Sequence, residues 1–127
     1  MSTIPDDLRY TAEHEWIRME GDLAIVGITD YAQDALTDIV WVEFLIDEGQ
    51  SIEVNGTFAS VESVKSVSDI FAPLAGELVE LNHDLQDAPE AINEDAYGAW
   101  IAKFRLDDPS AINNLLDAAG YAAILGE

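Results

Sequence analysis

The strongest constraint on this chain is the alternation of apolar and small polar residues on both sides of one lysine, Lys65. Phe58, Val61 and Val64 precede it, Val67 and Ile70 follow it, and serines and acids occupy most places between. Successive side chains of an extended strand point to opposite faces, so this stretch predicts two half-buried strands meeting at a turn. Lys65 is then at or beside a hairpin tip, the most projecting part of a β-domain, where another enzyme can reach a long side chain. An isolated turn lysine is most often simply solvated, so the tip alone assigns no chemistry. The only other lysine, Lys103, lies in the alternating run Trp100 to Leu106 and reads as the solvent face of a strand.

The rest of the chain reads as mainly β. Residues 1–8 are polar and predict a loose arm. Glu15 to Met19 and Leu23 to Ile28 form a hairpin about Gly21-Asp22. Thr29 is an N-cap residue for a short helix carrying Tyr31, Ala32, Ala35 and Leu36. The β-prone run Ile39 to Ile46 predicts a central strand. Ser51 to Val54 is a short strand, Asn55-Gly56 a turn, and Gly76 to Leu81 a further strand beyond Pro73. Asp84 to Asp95 reads as a polar loop, and Tyr97 and Trp100 open a last strand ending at Leu106. Asp108-Pro109 starts a helix with Ile112, Leu115, Leu116 and Ala119 on one stripe, Gly120 stops it, and Tyr121 to Leu125 adds a last turn.

Asp38-Ile39-Val40 precedes Asp69-Ile70-Phe71 by 31 residues, and each leads into a bend, a strand segment and a turn. Such a repeat is compatible with two β-halves meeting around the hairpin in a flattened barrel or sandwich with quasi-two-fold symmetry. At 127 residues the chain is expected to form one domain over 1–127.

Charge and composition exclude several functions. With 26 acidic against 5 basic residues the net charge is −21, which disfavours nucleic acid and anionic membranes and favours basic patches on partner proteins. Solubility or adaptation to high salt would produce the same excess. There is no cysteine, so thiol chemistry must come from an attached group. His14 and His83 are the only histidines; a histidine-rich metal site is excluded, and His83 falls in the turn Leu81-Asn82-His83-Asp84. No apolar run approaches a membrane span and no targeting signal is visible, so a cytoplasmic location is expected.

Glu62-Ser63-Val64-Lys65-Ser66, followed by Ser68-Asp69-Ile70, Pro73 and Gly76, resembles the lipoylation site of the glycine cleavage system H-protein family. His14-Glu15-Trp16, the run Val26 to Asp34, and Asn93 with Tyr97 and Trp100 fall in that family's order, so the resemblance covers nearly the whole chain. It implies a lipoyl/biotinyl-type hybrid fold with a helix near residue 30 and a C-terminal helix. It also implies lipoate amide-linked to Lys65, with Glu62 read by the lipoate-attaching enzyme and the small Ser63, Ser66 and Ser68 admitting that enzyme. Glu15, Ile28 and Asp69 are the implied lining of a cleft for the loaded arm, where a carboxylate suits a cationic aminomethyl group. The implied partners are glycine decarboxylase (P protein), aminomethyltransferase (T protein) and dihydrolipoamide dehydrogenase (L protein), which makes the chain a carrier and not an enzyme.

Two loops depart from the family pattern: Phe44 to Gly49 stands where a Leu-Pro turn is common, and Asp95 to Trp100 lacks the usual proline. Both bear on the fit to partner enzymes more than on the fold. A lipoate relay serving other complexes, or an unmodified acidic interaction module, stay open as alternatives at this level. No EF-hand spacing, nucleophile–base pair or phosphate loop supports cation binding or independent catalysis.

Overall fold

The alternating runs become two antiparallel sheets in a computed structural model, which describes residues 3–126. Six strands form the larger sheet: β1 (Arg9–Tyr10), β2 (Glu15–Glu20), β3 (Leu23–Ile28), β5 (Ser51–Ile52), β8 (Gly76–Leu81) and β9 (Ala102–Leu106), in the order β1-β2-β3-β9-β8-β5. The smaller sheet has β4 (Ile39–Phe44), β6 (Thr57–Ser63) and β7 (Val67–Phe71), with β6 in the middle. The repeated segments Asp38-Ile39-Val40 and Asp69-Ile70-Phe71 therefore come to the two edges of this sheet, on either side of β6.

The sheets pack through their alternating inward residues. Val42, Phe58, Val61 and Ile70 of the smaller sheet meet Val26, Leu78 and Phe104 of the larger one in one buried cluster, with Phe58 and Phe104 edge to face at 5.1 Å. β3 is apolar at nearly every position because both its faces are covered. Ala24 and Val26 face the inter-sheet core, while Ile25 joins Tyr10, Trp16 and Tyr121 in a second cluster on the opposite face. Trp16 donates its indole N–H to the Ala96 carbonyl at 3.0 Å and lies opposite Gly27, where an added Cβ would come within 2.6 Å of the indole ring. Only glycine admits the tryptophan there.

Thr29 caps α1 (Asp30–Leu36) as expected, accepting the Ala32 N–H. Asn93 fixes the far end of this helix and the start of β4: its amide donates to Gln33 Oε1 and the Thr37 carbonyl and accepts the Ile39 N–H.

Several expectations are corrected. The run Ile39 to Ile46 gives an edge strand, not a central one, and its register shifts beside Val40. High β-propensity reports a fit to a pleated surface and not a position within the sheet. Residues 84–95 are not a loop but two single-turn helices, α2 (Asp84–Asp87) and α3 (Ala91–Glu94), anchored by buried Leu85 and Ile92. Tyr97 and Trp100 precede the last strand, which begins at Ala102.

The C-terminal helix is also redrawn. Pro109–Asn114 is a 3-10 segment, the chain then extends, and α4 covers Ala118–Leu125 with Asp117 as N-cap and Gly126 as C-cap, so Gly120 lies inside it. Leu116 breaks the expected stripe because its backbone pairs with Tyr10 through two hydrogen bonds, at 2.8 and 3.0 Å. The arm expected to be loose is tied down over its described residues. Leu8 is buried, Tyr97 donates its hydroxyl to the Thr3 carbonyl, Tyr10 donates to that of Pro5, and the Thr3 N–H donates to Asp30. Met1 and Ser2 lie outside the described residues.

Candidate functional site

Lys65 sits in the turn between β6 and β7 with its side chain exposed. Ser63 shapes this turn from inside. It is 6% exposed; its hydroxyl accepts the backbone N–H of Lys65 at 3.1 Å and of Ser66 at 3.0 Å, and donates to the Ser66 carbonyl. A side chain that replaces missing backbone partners fixes a turn at low cost. The Val64 N–H donates to the Asp38 carbonyl, so the tip is also anchored to the chain entering β4. Of the three serines expected to leave room for an enzyme, Ser63 is structural, Ser68 is half-buried and Ser66 is exposed.

The alternation about the lysine is only partly a buried face. Phe58, Val61 and Ile70 are buried, but Val64 and Val67 are 69% and 63% exposed. Val67 is in register with Glu62, and Glu62 with Trp41, so these three form one outward row across the small sheet. Glu62 is exposed within that row, and Lys65 is the only cation in the stretch from Ile39 to Phe71.

Glu15, Ile28 and Asp69 come together in a cleft of about 150 Å³, bounded by the start of β2, the end of β3, α1 and the β7 edge. Val61 and Ile70 form its apolar floor, and Ala32, Ala35 and Leu36 its helical wall. Glu15 is 2% exposed. Its carboxylate accepts the Phe71 N–H at 2.9 Å and the Thr11 hydroxyl at 3.0 Å. Burial outweighs these two bonds and pushes its pKa up from 4.5 to about 7. Asp69 is at the exposed rim.

Three lining residues were not singled out from the sequence: Glu13, His14 and Tyr31. His14 has a φ of 70°, a left-handed conformation that breaks strand alternation, so that consecutive residues Glu13, His14 and Glu15 all border one cleft. The His14 ring lies 4.7 Å from that of Tyr31, and burial lowers its pKa. No local pattern marks a positive φ at a histidine. With Glu13, Glu15 and Asp69, the cleft carries three carboxyl groups and neither lysine nor arginine.

Among the described residues, no group of three or more histidines and acids could hold a metal ion, and no helix is long and apolar enough to cross a membrane. The arrangement instead offers an amine held out at a fixed tip, and beside it an apolar, acidic recess suited to an aliphatic chain ending in a cation.

Comparison with known proteins agrees with that geometry. The family profile described as Glycine cleavage H-protein matches residues 8–127. A glycine cleavage system H protein of Chlorobium limicola is 52% identical over 98% of this chain and 99% of its own length. One of Symbiobacterium thermophilum is 51% identical over 100% and 99%. The crystal structure of a glycine cleavage system H protein from Mycobacterium marinum superposes with a TM-score of 0.88 at 38% identity, covering 98% of this chain and 100% of that one. A lysine tip, an acidic cleft and likeness along the whole chain converge on one conclusion: the chain belongs to the glycine cleavage H-protein family.

Proposed function

We propose that this chain carries lipoate on Lys65 and serves as the shuttle of the glycine cleavage system. As a family member it is a carrier and not a catalyst. The observation that supports the residue assignment best is the pairing of an exposed lysine at a braced tip with a buried carboxyl in a cleft along the same hairpin.

Lipoate, when attached, supplies a disulfide that accepts the one-carbon amine and is later reoxidised. The chain's residues do the rest. Ser63 and the Asp38 carbonyl hold the tip still while Lys65 Nζ is acylated. Glu62 lies on the outward row beside the exposed Val64 and Val67, a surface the lipoate-attaching enzyme must cover to reach that nitrogen. Ile28, Val61 and Ile70 exclude water around an aliphatic chain, and Glu15 and Asp69 favour a cationic end group over a neutral one.

The partners in this reading are the P, T and L proteins and the lipoate-attaching enzyme, with a net charge of −21 steering the chain to basic faces on them. A cytoplasmic location is part of the proposal, and fractionation of the native cells tests it. Intact and peptide mass spectrometry of the native protein tests the central claim. A lipoyl adduct confined to Lys65 supports it, and an unmodified Lys65 in cells with working lipoylation overturns it.

A further inference from the structure

The hydroxyl of Tyr121 is where the C-terminal helix meets the cleft. Tyr121 is fully buried, with its ring stacked on Tyr10 at 4.8 Å and 6° between planes. Its hydroxyl lies 2.8 Å from His14 Nδ1 and 2.8 Å from Thr29 Oγ1. Those partners occupy facing chain ends: the Thr29 N–H donates to the His14 carbonyl at 3.0 Å, and the next pair along β2 and β3 is Glu15 opposite Ile28. Both members of that pair line the cleft. Thr29 also caps α1, whose Tyr31 and Ala32 form the facing wall. One hydroxyl thus joins α4, the strand end that carries Glu15, and the first turn of α1.

The donors and acceptors form a consistent chain. With His14 neutral and its proton on Nε2, Thr29 donates to Tyr121 and Tyr121 donates to Nδ1, while Thr29 still accepts the Ala32 N–H. The φ of 70° at His14 is a conformation that a non-glycine residue keeps only when its surroundings fix it. The shared hydroxyl supplies that fixing from a helix 107 residues further along the chain.

We propose that Tyr121 is a positioning residue for the cleft: its hydroxyl holds His14 in the left-handed turn and thereby sets the direction in which the adjacent Glu15 carboxyl enters the recess. The C-terminal helix is then a working part of the cleft wall and not only a cover for the aromatic cluster. The inference rests on the carrier reading for its consequence, but its geometric half concerns the chain without lipoate.

Tyr121→Phe tests it, because the ring and its stacking remain and only the hydroxyl is lost. In the unmodified protein the Phe71 amide, which donates to Glu15 at 2.9 Å, is expected to exchange its hydrogen about tenfold faster, while amides of the β3–β9 pair keep their rates. In the lipoylated protein loaded from glycine by the decarboxylase, the carried aminomethyl group is expected to be lost to water several-fold faster. That hydrolysis consumes one water and returns the thiol, formaldehyde and ammonia, so ammonia release is the readout. The rate of lipoylation at Lys65, whose turn is braced by Ser63 and the Asp38 carbonyl and not by Tyr121, is expected to stay unchanged.

Should Tyr121→Phe melt below the assay temperature, both measurements are made on it and on the parent at a temperature below its melting point, where the same differences are expected. Unchanged Phe71 exchange together with unchanged ammonia release overturns the proposal. Failure of the parent protein to accept lipoate or to load overturns the carrier reading instead, and the Phe71 exchange still judges Tyr121.

Discussion

The hairpin tip and the cleft share strands β6 and β7 and are built in opposite ways. At the tip the side chain of interest is exposed, and the fold controls only the backbone beneath it, through the Ser63 hydroxyl and the Asp38 carbonyl. In the cleft the side chain of interest is buried, and the fold controls the atoms themselves, with Glu15 held by Phe71 and Thr11. A residue that must be reached by another enzyme needs a rigid base and free space. On the proposed reading Glu15 receives a charged group out of water and needs the reverse, and its raised pKa records the cost of that burial.

The contrast can be broken first at the tip. Lys65→Arg keeps the charge and removes the acylatable amine, so mass spectrometry should find no lipoyl adduct, while thermal unfolding stays within about 0.5 kcal/mol of the parent because the position is exposed. In the cleft the largest effect is pH-dependent. Glu15 holds its proton up to about pH 7 when folded and to about 4.5 when unfolded. Between those values the folded state binds the extra proton, so this group's contribution to stability falls as pH rises, by ~3 kcal/mol in all. Denaturant unfolding of Glu15→Gln should therefore gain about that much on the parent between pH 4.5 and 7.5, and parallel pH profiles would refute the buried carboxyl.

Gly27→Ala sharpens the comparison by disturbing the shared scaffold. The new Cβ meets the Trp16 ring at 2.6 Å, and the indole is tethered to Ala96, so a loss of about 1–3 kcal/mol is expected in urea unfolding. The smallest effect belongs to Ser63→Ala, which leaves two tip amides without their acceptor. About 1 kcal/mol of stability should go, accompanied by a higher KM for lipoylation, and an unchanged KM would show that the brace is irrelevant to modification.

How much of this was legible in the sequence follows the range of the interactions. The hairpin about Lys65, the Thr29 cap and the β2–β3 hairpin rest on neighbours a few residues apart, and all were readable. Glu15, Ile28 and Asp69 came from resemblance, not from pattern, and the fold brings them together. What escaped was set by distant partners. Leu116 left its expected helix to pair with Tyr10, α2 and α3 formed around the anchors Leu85 and Ile92 in a polar-looking stretch, and β4 lies at an edge despite its apolar run. His14 was read as part of a motif and as one of two histidines too few for a metal site; its place in the cleft depends on a positive φ and a tyrosine near the other end of the chain.

The brace under Lys65 has a further consequence, which is a matter of local concentration. In the proposed reading, a lipoyl group on this fixed pivot does not search the solution; it samples a small volume that includes the cleft. Tethers of this kind present their end group at an effective concentration on the order of millimolar. A cleft with a dissociation constant of about 1 mM for the arm's end would already hold it about half the time. Such weak intrinsic binding is an advantage for a shuttle, since a partner enzyme with modest affinity for the same end group could draw it out, and stiffness at the tip would substitute for tightness in the recess.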